Sequence, residues 1–429
     1  MSTKNYRLTK VNPSKYFYML MLFLWCAYTA PFLKPFDSEY LFSSFLYIII
    51  YGVYFSRNCF KRNNRPLVIV LGLMAFWYAG QCVKSGGLTK IDFRLLYSMV
   101  LAHVAFYLYK GKGFFLYFEK VLMHMTILSL IVWSLGMLAP GFIKAVFNVI
   151  SVWTNGGTTY GNFFFVALGG QHSMGLLRNI GFTWEAGRFS CFLVVGLFFS
   201  LILHNMRIKG NRSFWVFLAG ILSTVSTTGI GSCLGVALLY LYNRDRSNRI
   251  LWIAVSCILL PVIWSLDFIS GKIIANADVE QEIRNMAYMF GHGSEAICPQ
   301  RITGLFLELQ NWIHDFWFGY NLNEQSYTQA VLFGGYEVWL SNGLIQIFSK
   351  YGTFVGIFLY YCMFKSSGKM ISDFGYKGSL IYAFTFMLIS ISYDFWASGI
   401  FLYFTLYWLY CKFVPQCYIN YENHKKMQE

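Results

Sequence analysis

The chain has 429 residues and a formal charge of +15, yet 57% of its residues are apolar, 20% aromatic and only 12% charged. A soluble protein is about half apolar and about a quarter charged, so composition excludes a soluble enzyme, a secreted disulfide scaffold and a disordered chain. The apolar residues fall into runs close to the ~20 needed to cross a hydrocarbon core. Backbone groups in lipid must find partners within their own segment, so the sequence reads as an all-α polytopic membrane protein seated in a lipid bilayer.

Taken in chain order, the hydropathy predicts about twelve spans, at roughly 16–33, 40–56, 66–83, 94–109, 118–138, 188–205, 213–226, 228–243, 250–269, 351–364, 378–394 and 396–413. The first follows Lys4, Arg7, Lys10 and Lys15 like the charged start of a signal peptide, and its length and the spans after it favour an uncleaved anchor. The excess of basic residues does not predict nucleic-acid binding, because these residues cluster between the apolar runs and there set topology. Segments 4–15, 57–65, 110–120, 207–212, 244–249, 365–377 and 412–426 hold 23 of the 34 basic residues. The positive-inside rule makes those segments, and both termini, cytoplasmic.

The expected organisation is helices 1–5 over 1–138, a long outer loop over 139–187, helices 6–9 over 188–269, a second outer loop over 270–350, and helices 10–12 with a cytoplasmic tail over 351–429. Loops this long carry function when they are not disordered, and these are too aromatic for disorder. Of the 10 cysteines, Cys26, Cys82, Cys191, Cys233, Cys257 and Cys362 fall in or beside spans, and only Cys298 lies in a long polar loop, so no disulfide framework is expected.

The first loop opens with an apolar stretch, 141–153, too short to span and suited to the interface. After Asn155-Gly156-Gly157 it runs through Arg178 to Arg188 into the sixth span, interleaving Glu185 between two arginines. Flanking arginines often snorkel to headgroups, but basic flanks are disfavoured on the outer side, so a binding site is the stronger reading. In the second loop, Ile302, Leu305, Phe306, Leu309, Trp312, Ile313, Phe316 and Trp317 share an arc of about 140° on a helix. Arg301, Glu308 and Asp315 line one edge of that arc, and His314 lies opposite. The expectation is a surface helix lying on the bilayer, ended by Gly319-Tyr320-Asn321. An anion bound at its first turn would satisfy both Arg301 and the free N–H groups. Glu337 and Asn342 follow, as candidates for sugar hydroxyls or as ordinary interfacial polar groups.

The sequence holds no phosphate-binding Walker loop, dinucleotide fingerprint, His-Glu-x-x-His or Cys-x-x-Cys, and neither cofactor nor metal is expected. Asp37-Ser-Glu39 reads as a polar turn. His103 and His124 are the clearest ionisable residues within spans, and such histidines are often packing groups. An ion-coupled carrier needs buried charges as relays and is disfavoured.

At these residues the chain resembles the O-antigen polymerase and ligase superfamily. Arg178-Asn-Ile-Gly181-Phe-Thr-Trp184-Glu185-Ala186-Gly187 is similar to an Arg-x-x-Gly-x-x-Trp-Glu-Pro-Gly segment of the Wzy-type polymerases, with Ala186 in place of proline. Ser226-Thr-Thr-Gly229 resembles a Ser-x-Thr-Gly turn of the family, and Arg301, 18 residues before Gly319, resembles its long-loop arginine. Ser341-Asn342 before Lys350-Tyr-Gly352 resembles the close of that loop. Ligases of the superfamily typically carry His beside this Asn; here it is Ser341, which favours polymerase over ligase. The resemblance implies a GT-C-like glycosyltransferase of the bacterial inner membrane. It would join undecaprenyl-pyrophosphate-linked oligosaccharide repeat units on the periplasmic face, beside a chain-length regulator and a flippase of the same pathway. It implies Arg178, Glu185 and Arg301 as catalytic residues, and Arg188, Trp184, Tyr320, Asn342 and Glu337 as substrate contacts. Glu185 either orients an arginine or takes the acceptor proton. A lipid-linked oligosaccharide flippase can also have twelve spans, but it needs a charged cavity within the bundle, whereas the charges here gather in the outer loops.

Overall fold

The computed structural model describes residues 11–26, 48–54, 63–89, 93–139, 178–183, 185–243, 279–291, 296–320, 325–338 and 342–414, short pieces between 151 and 177, and a few isolated positions. Expected span 250–269, Trp184, Ser341 and the Asp37-Ser-Glu39 turn lie outside the described residues, and of 40–56 mainly 48–54 is described, as helix.

The apolar runs form helices. They are α1 (Pro13–Cys26), α2 (Arg65–Ser85), α3 (Phe93–Tyr109), α4 (Gly113–Leu138), α5 (Ala186–Leu203), α6 (Arg212–Thr224), α7 (Thr227–Asn243), α8 (Val279–Gly291), α9 (Arg301–His314), α10 (Tyr327–Leu332), α11 (Gly343–Asp373), α12 (Ile381–Ser390) and α13 (Gly399–Phe413). Among the described residues α2, α4, α5 and α11 are long and apolar enough to cross a bilayer, and α3, α6 and α12 are shorter apolar helices. The chain is a membrane protein.

The all-α class holds for the described residues, with a few short strands in the long loops. The first long loop holds a small antiparallel sheet, β1 (Ser151–Trp153), β2 (Thr159–Phe163) and β3 (Val166–Leu168), and a two-stranded pair, β4 (His172–Ser173) with β5 (Leu176–Leu177). In the second loop β6 (Ala296–Ile297) pairs in parallel with β7 (Glu337–Val338). Residues 151–153, expected to end an interfacial stretch, are therefore a strand. Outside lipid a backbone can pair across short hairpins, and Val, Thr, Tyr and Phe favour that state.

The core of the bundle is aromatic. Every residue of α5 is buried, with α6 and α7 packed against it, while α13 packs between α11 and α3. Phe114 stacks on Tyr403 with centroids 3.7 Å apart, and Phe199 on Phe404 at 5.0 Å. Lipid supplies little hydrophobic force between helices, so such contact packing must hold them. The outward faces are apolar too: Val68, Phe76 and Val83 on α2, Ile131 on α4 and Ile357 on α11 are all exposed, as lipid-facing side chains should be.

Helix directions alternate, so the bundle has two distinct ends. At one end the start of α1, the end of α3, and the ends of α11 and α13 meet: Tyr109 donates to the Lys15 carbonyl (2.7 Å), Lys112 to the Asp373 carbonyl (2.6 Å) and Asn63 to the Phe413 carbonyl (2.6 Å). The starts of α5, α11 and α13 lie at the other end, beneath the second loop.

That loop packs differently from its periodicity. In α9 the buried positions are Thr303, Gly304, Leu307, Glu308 and Asn311, whereas Phe306 and Ile313, and Phe316 and Trp317 just beyond, are exposed. Part of the apolar arc, at Phe306 and Ile313, faces away from the protein, while Trp312 packs on Phe348 at 4.8 Å and Glu308 turns inward onto α11. The helix also ends at His314, five residues before Gly319. There the chain crosses α11 at a kink where Gly352 has φ 75°. A Cβ at Gly352 would lie 2.1 Å from the Trp317 carbonyl oxygen, and one at Gly319 2.4 Å from the Lys350 carbonyl carbon and oxygen. Two glycines thus let the backbones touch, and Tyr320 N–H donates to the Ser349 carbonyl at 2.8 Å. The expected span 351–364 is therefore the middle of a longer kinked helix.

Candidate functional site: an arginine and carboxylate centre at one end of the bundle

Glu185 has an extended backbone and occupies the N-cap position of α5. Glu185 Oε1 accepts from the Tyr393 hydroxyl at 2.7 Å and from Arg301 Nη2 at 3.5 Å. Three distant pieces of chain therefore meet at one carboxylate oxygen: the α5 start, the first turn of α9 and the 391–398 connection between α12 and α13. Gly187 makes this possible, since a Cβ there would lie 2.0 Å from the Tyr393 hydroxyl oxygen. The glycine of the Glu-Ala-Gly sequence is required by close approach rather than by turn conformation.

Arg301 lies over the Tyr393 ring, 4.8 Å from its centroid, and Arg188 over the Phe395 ring at 5.3 Å. Arg188 is buried, and its Nε and Nη2 have no hydrogen-bond partner among the described residues. Each unpaired buried donor costs about 1–3 kcal/mol. Arg94, in the first turn of α3, is near enough for its positive charge to act on Arg188, as are Asp394 and Glu185 with negative charge.

Behind this centre lies Glu308, 0% exposed. Its Oε2 accepts from the Ser349 hydroxyl, and its Oε1 has no partner among the described residues. Burial pushes its carboxyl up to about 7; Asp394 adds to the rise, while Ser349 and Lys350 oppose it.

The other expected residues have varied surroundings. Arg178 donates its Nε–H to the Thr224 carbonyl at 2.9 Å, at the C-terminus of α6, while Glu185 is engaged by Arg301 and Tyr393. Asn342 is buried and caps α11: its Oδ1 accepts from Leu344 N–H (3.0 Å), and its Nδ2 donates to the carbonyls of Arg301 (3.4 Å) and Ile391 (3.0 Å). With both ends of its amide engaged, Asn342 ties Arg301 to the α12–α13 connection. Tyr320 docks the end of the loop on α11 through its backbone. Glu337 pairs through its backbone with Ala296.

The helix N-terminus expected to bind an anion has a carboxylate already. Glu282 of α8 accepts from Gln300 N–H at 2.7 Å and from the Thr303 hydroxyl, so the cap is internal. Sequence patterns also passed over Tyr393 and Asp394, which hydropathy places at the end of a span. An acidic residue in an apolar run is the signal that marks them.

No metal-binding group of three or more His, Cys, Asp or Glu occurs among the described residues. Comparison with protein-family models and with curated proteins finds no match for the chain.

Proposed function

We propose that the chain is a surface-polysaccharide polymerase of the Wzy type. It would join undecaprenyl-pyrophosphate-linked repeat units at the periplasmic face of the bacterial inner membrane, with twelve spans and both termini cytoplasmic. The observation that carries this reading is Arg188, a buried guanidinium with two donor nitrogens that have no partner among the described residues, within reach of the charge of Glu185, which also holds Arg301. A diphosphate presents acceptor oxygens that such donors match. It is also a good leaving group, whose growing charge fixed arginines stabilise without a metal. Arg188 and Arg301 hold the diphosphate, Arg94 adds positive charge, and Arg178 flanks the approach. Glu185 and Tyr393 position Arg301. The exposed part of the apolar arc of α9 lies beside this centre, where a polyprenyl chain would rest.

The topology is supported by the charge distribution. Lys15, Arg65, Lys112, Arg212, Lys369 and Lys412 all belong to helix ends on the side opposite Arg301, which is the arrangement expected of a cytoplasmic face.

Deleting the gene and resolving the lipopolysaccharide on a gel tests the reading. A polymerase leaves lipid A core capped with a single repeat unit, because transfer to core continues while elongation stops. A bare core overturns it: stranded long lipid-linked chains would then identify a ligase, and single units held on the cytoplasmic side a flippase.

A further inference from the structure

Residues 393–395 organise the whole centre. Tyr393 offers its ring to Arg301 and Phe395 its ring to Arg188, at 4.8 and 5.3 Å. Asp394 lies in the chain between these two aromatic shelves. Its backbone is clamped, because a Cβ on Gly343 would come within 2.8 Å of the Asp394 Cα, and the Trp396 indole donates to the Gly343 carbonyl at 2.6 Å. Its side chain is also fixed on one side: Oδ1 accepts from Trp396 N–H at 3.0 Å. Oδ2 is 4.0 Å from Lys350 Nζ, too far for a direct hydrogen bond, and 23% of the side chain is exposed.

The neighbouring carboxylates are differently placed. Glu185 Oε1 takes both Tyr393 and Arg301, which makes Glu185 a positioning residue. Glu308 is sealed from solvent and holds Ser349. Asp394 differs from Glu185, whose side chain is likewise partly exposed, in that it holds no arginine: its Oδ1 takes only a backbone N–H, and its Oδ2 has no direct donor among the described residues.

We propose that Asp394 Oδ2 accepts the proton of the acceptor sugar hydroxyl. This assignment rests on the diphosphate reading of the site. In the step, the acceptor oxygen forms a bond to the anomeric carbon of the donor glycan. The bond from that carbon to the diphosphate oxygen breaks, its electron pair leaves on the diphosphate, and the hydroxyl proton passes to Asp394. Arg188 and Arg301 hold the departing charge on either side of the carboxylate. Lys350 Nζ lies 4.0 Å from the accepting oxygen, and the exposed edge returns the proton to water.

The test uses the full-length protein and two readouts: undecaprenyl pyrophosphate binding to purified protein in detergent, and glycan transfer in membranes of the deletion strain, which contain its own lipid-linked repeat units. Asp394→Asn is expected to bind undecaprenyl pyrophosphate as the wild type does while transfer falls by about 10²–10⁴-fold, the usual contribution of a positioned base. Asp394→Glu restores part of the rate. Wild-type transfer by Asp394→Asn overturns the assignment and leaves the diphosphate reading intact. Loss of binding together with transfer makes Asp394 structural and also overturns it. A wild-type protein that fails to bind undecaprenyl pyrophosphate removes the diphosphate reading, and this assignment with it.

Discussion

The two ends of the bundle treat charge in opposite ways. At the Lys112 end, Asp373 receives Lys369 on one carboxylate oxygen and the Tyr407 hydroxyl on the other at 2.9 Å, while its carbonyl takes Lys112. Nearby, Glu119 Oε1 meets His204 Nε2 at 2.9 Å. At the Arg301 end Arg301 pairs with Glu185, but two buried nitrogens of Arg188 and one oxygen of Glu308 have no partner among the described residues. Burying a charge costs several kcal/mol unless it is paired. Satisfied charges at one end stabilise the fold, and unsatisfied ones at the other are a cost that a ligand can offset.

The sharpest way to break this comparison is to remove one buried charge at each end. Arg188→Met should lower glycan transfer by about 10²–10³-fold, the scale of losing a fixed donor to a developing anion, with thermal stability unchanged or raised. Asp373→Ala should do the reverse: a loss of about 1 kcal/mol, since it removes a partly exposed pair with Lys369 and a hydrogen bond from Tyr407, with transfer per folded molecule preserved. Melting curves and transfer assays on the same two proteins decide the matter.

Glu308 sharpens the picture through pH. Its folded carboxyl is raised to about 7, so the unfolded chain ionises first as pH rises. The favourable contribution is complete below the unfolded value of about 4.3 and is lost through pH 7, costing about 3 kcal/mol by pH 8. Glu308→Gln should therefore melt at nearly the same temperature as the wild type at pH 5 and distinctly higher at pH 8; parallel profiles would refute the buried carboxyl.

Smaller effects are expected from residues that only position. Gly187→Ala pushes Tyr393 off Glu185, and transfer should fall by about tenfold, equivalent to ~1.4 kcal/mol, with undecaprenyl pyrophosphate still bound. Arg178→Ala loses one hydrogen bond to Thr224, worth about 1 kcal/mol, and should impair transfer less than Arg188→Met does.

Much of this architecture was legible in the residues. Runs such as 66–83 and 228–243 appear as α2 and α7 with their ends moved by at most two residues, because lipid leaves a helix as the only option. Glu185 and Arg301 were marked by their charge beside apolar runs in the two long loops. Their meeting was not, since they are 116 residues apart, and Tyr393 is 208 residues from Glu185; no local pattern encodes such proximity. Glu308 was visible as the edge of an amphipathic arc, but periodicity does not say whether lipid or protein covers the apolar side. Asp394 was hidden because hydropathy averages one carboxylate away within an apolar run.

The central claim is that Arg188 is left unpartnered for a diphosphate. Its most direct test is the melting temperature of the purified wild type and Arg188→Met with and without undecaprenyl pyrophosphate. A ligand at a hundred times its dissociation constant stabilises by about 2.7 kcal/mol. The account predicts a clear rise for the wild type, little or none for Arg188→Met, and a ligand-free variant at least as stable as the wild type. A variant that melts well below the wild type, or that is stabilised by the lipid just as strongly, would contradict it.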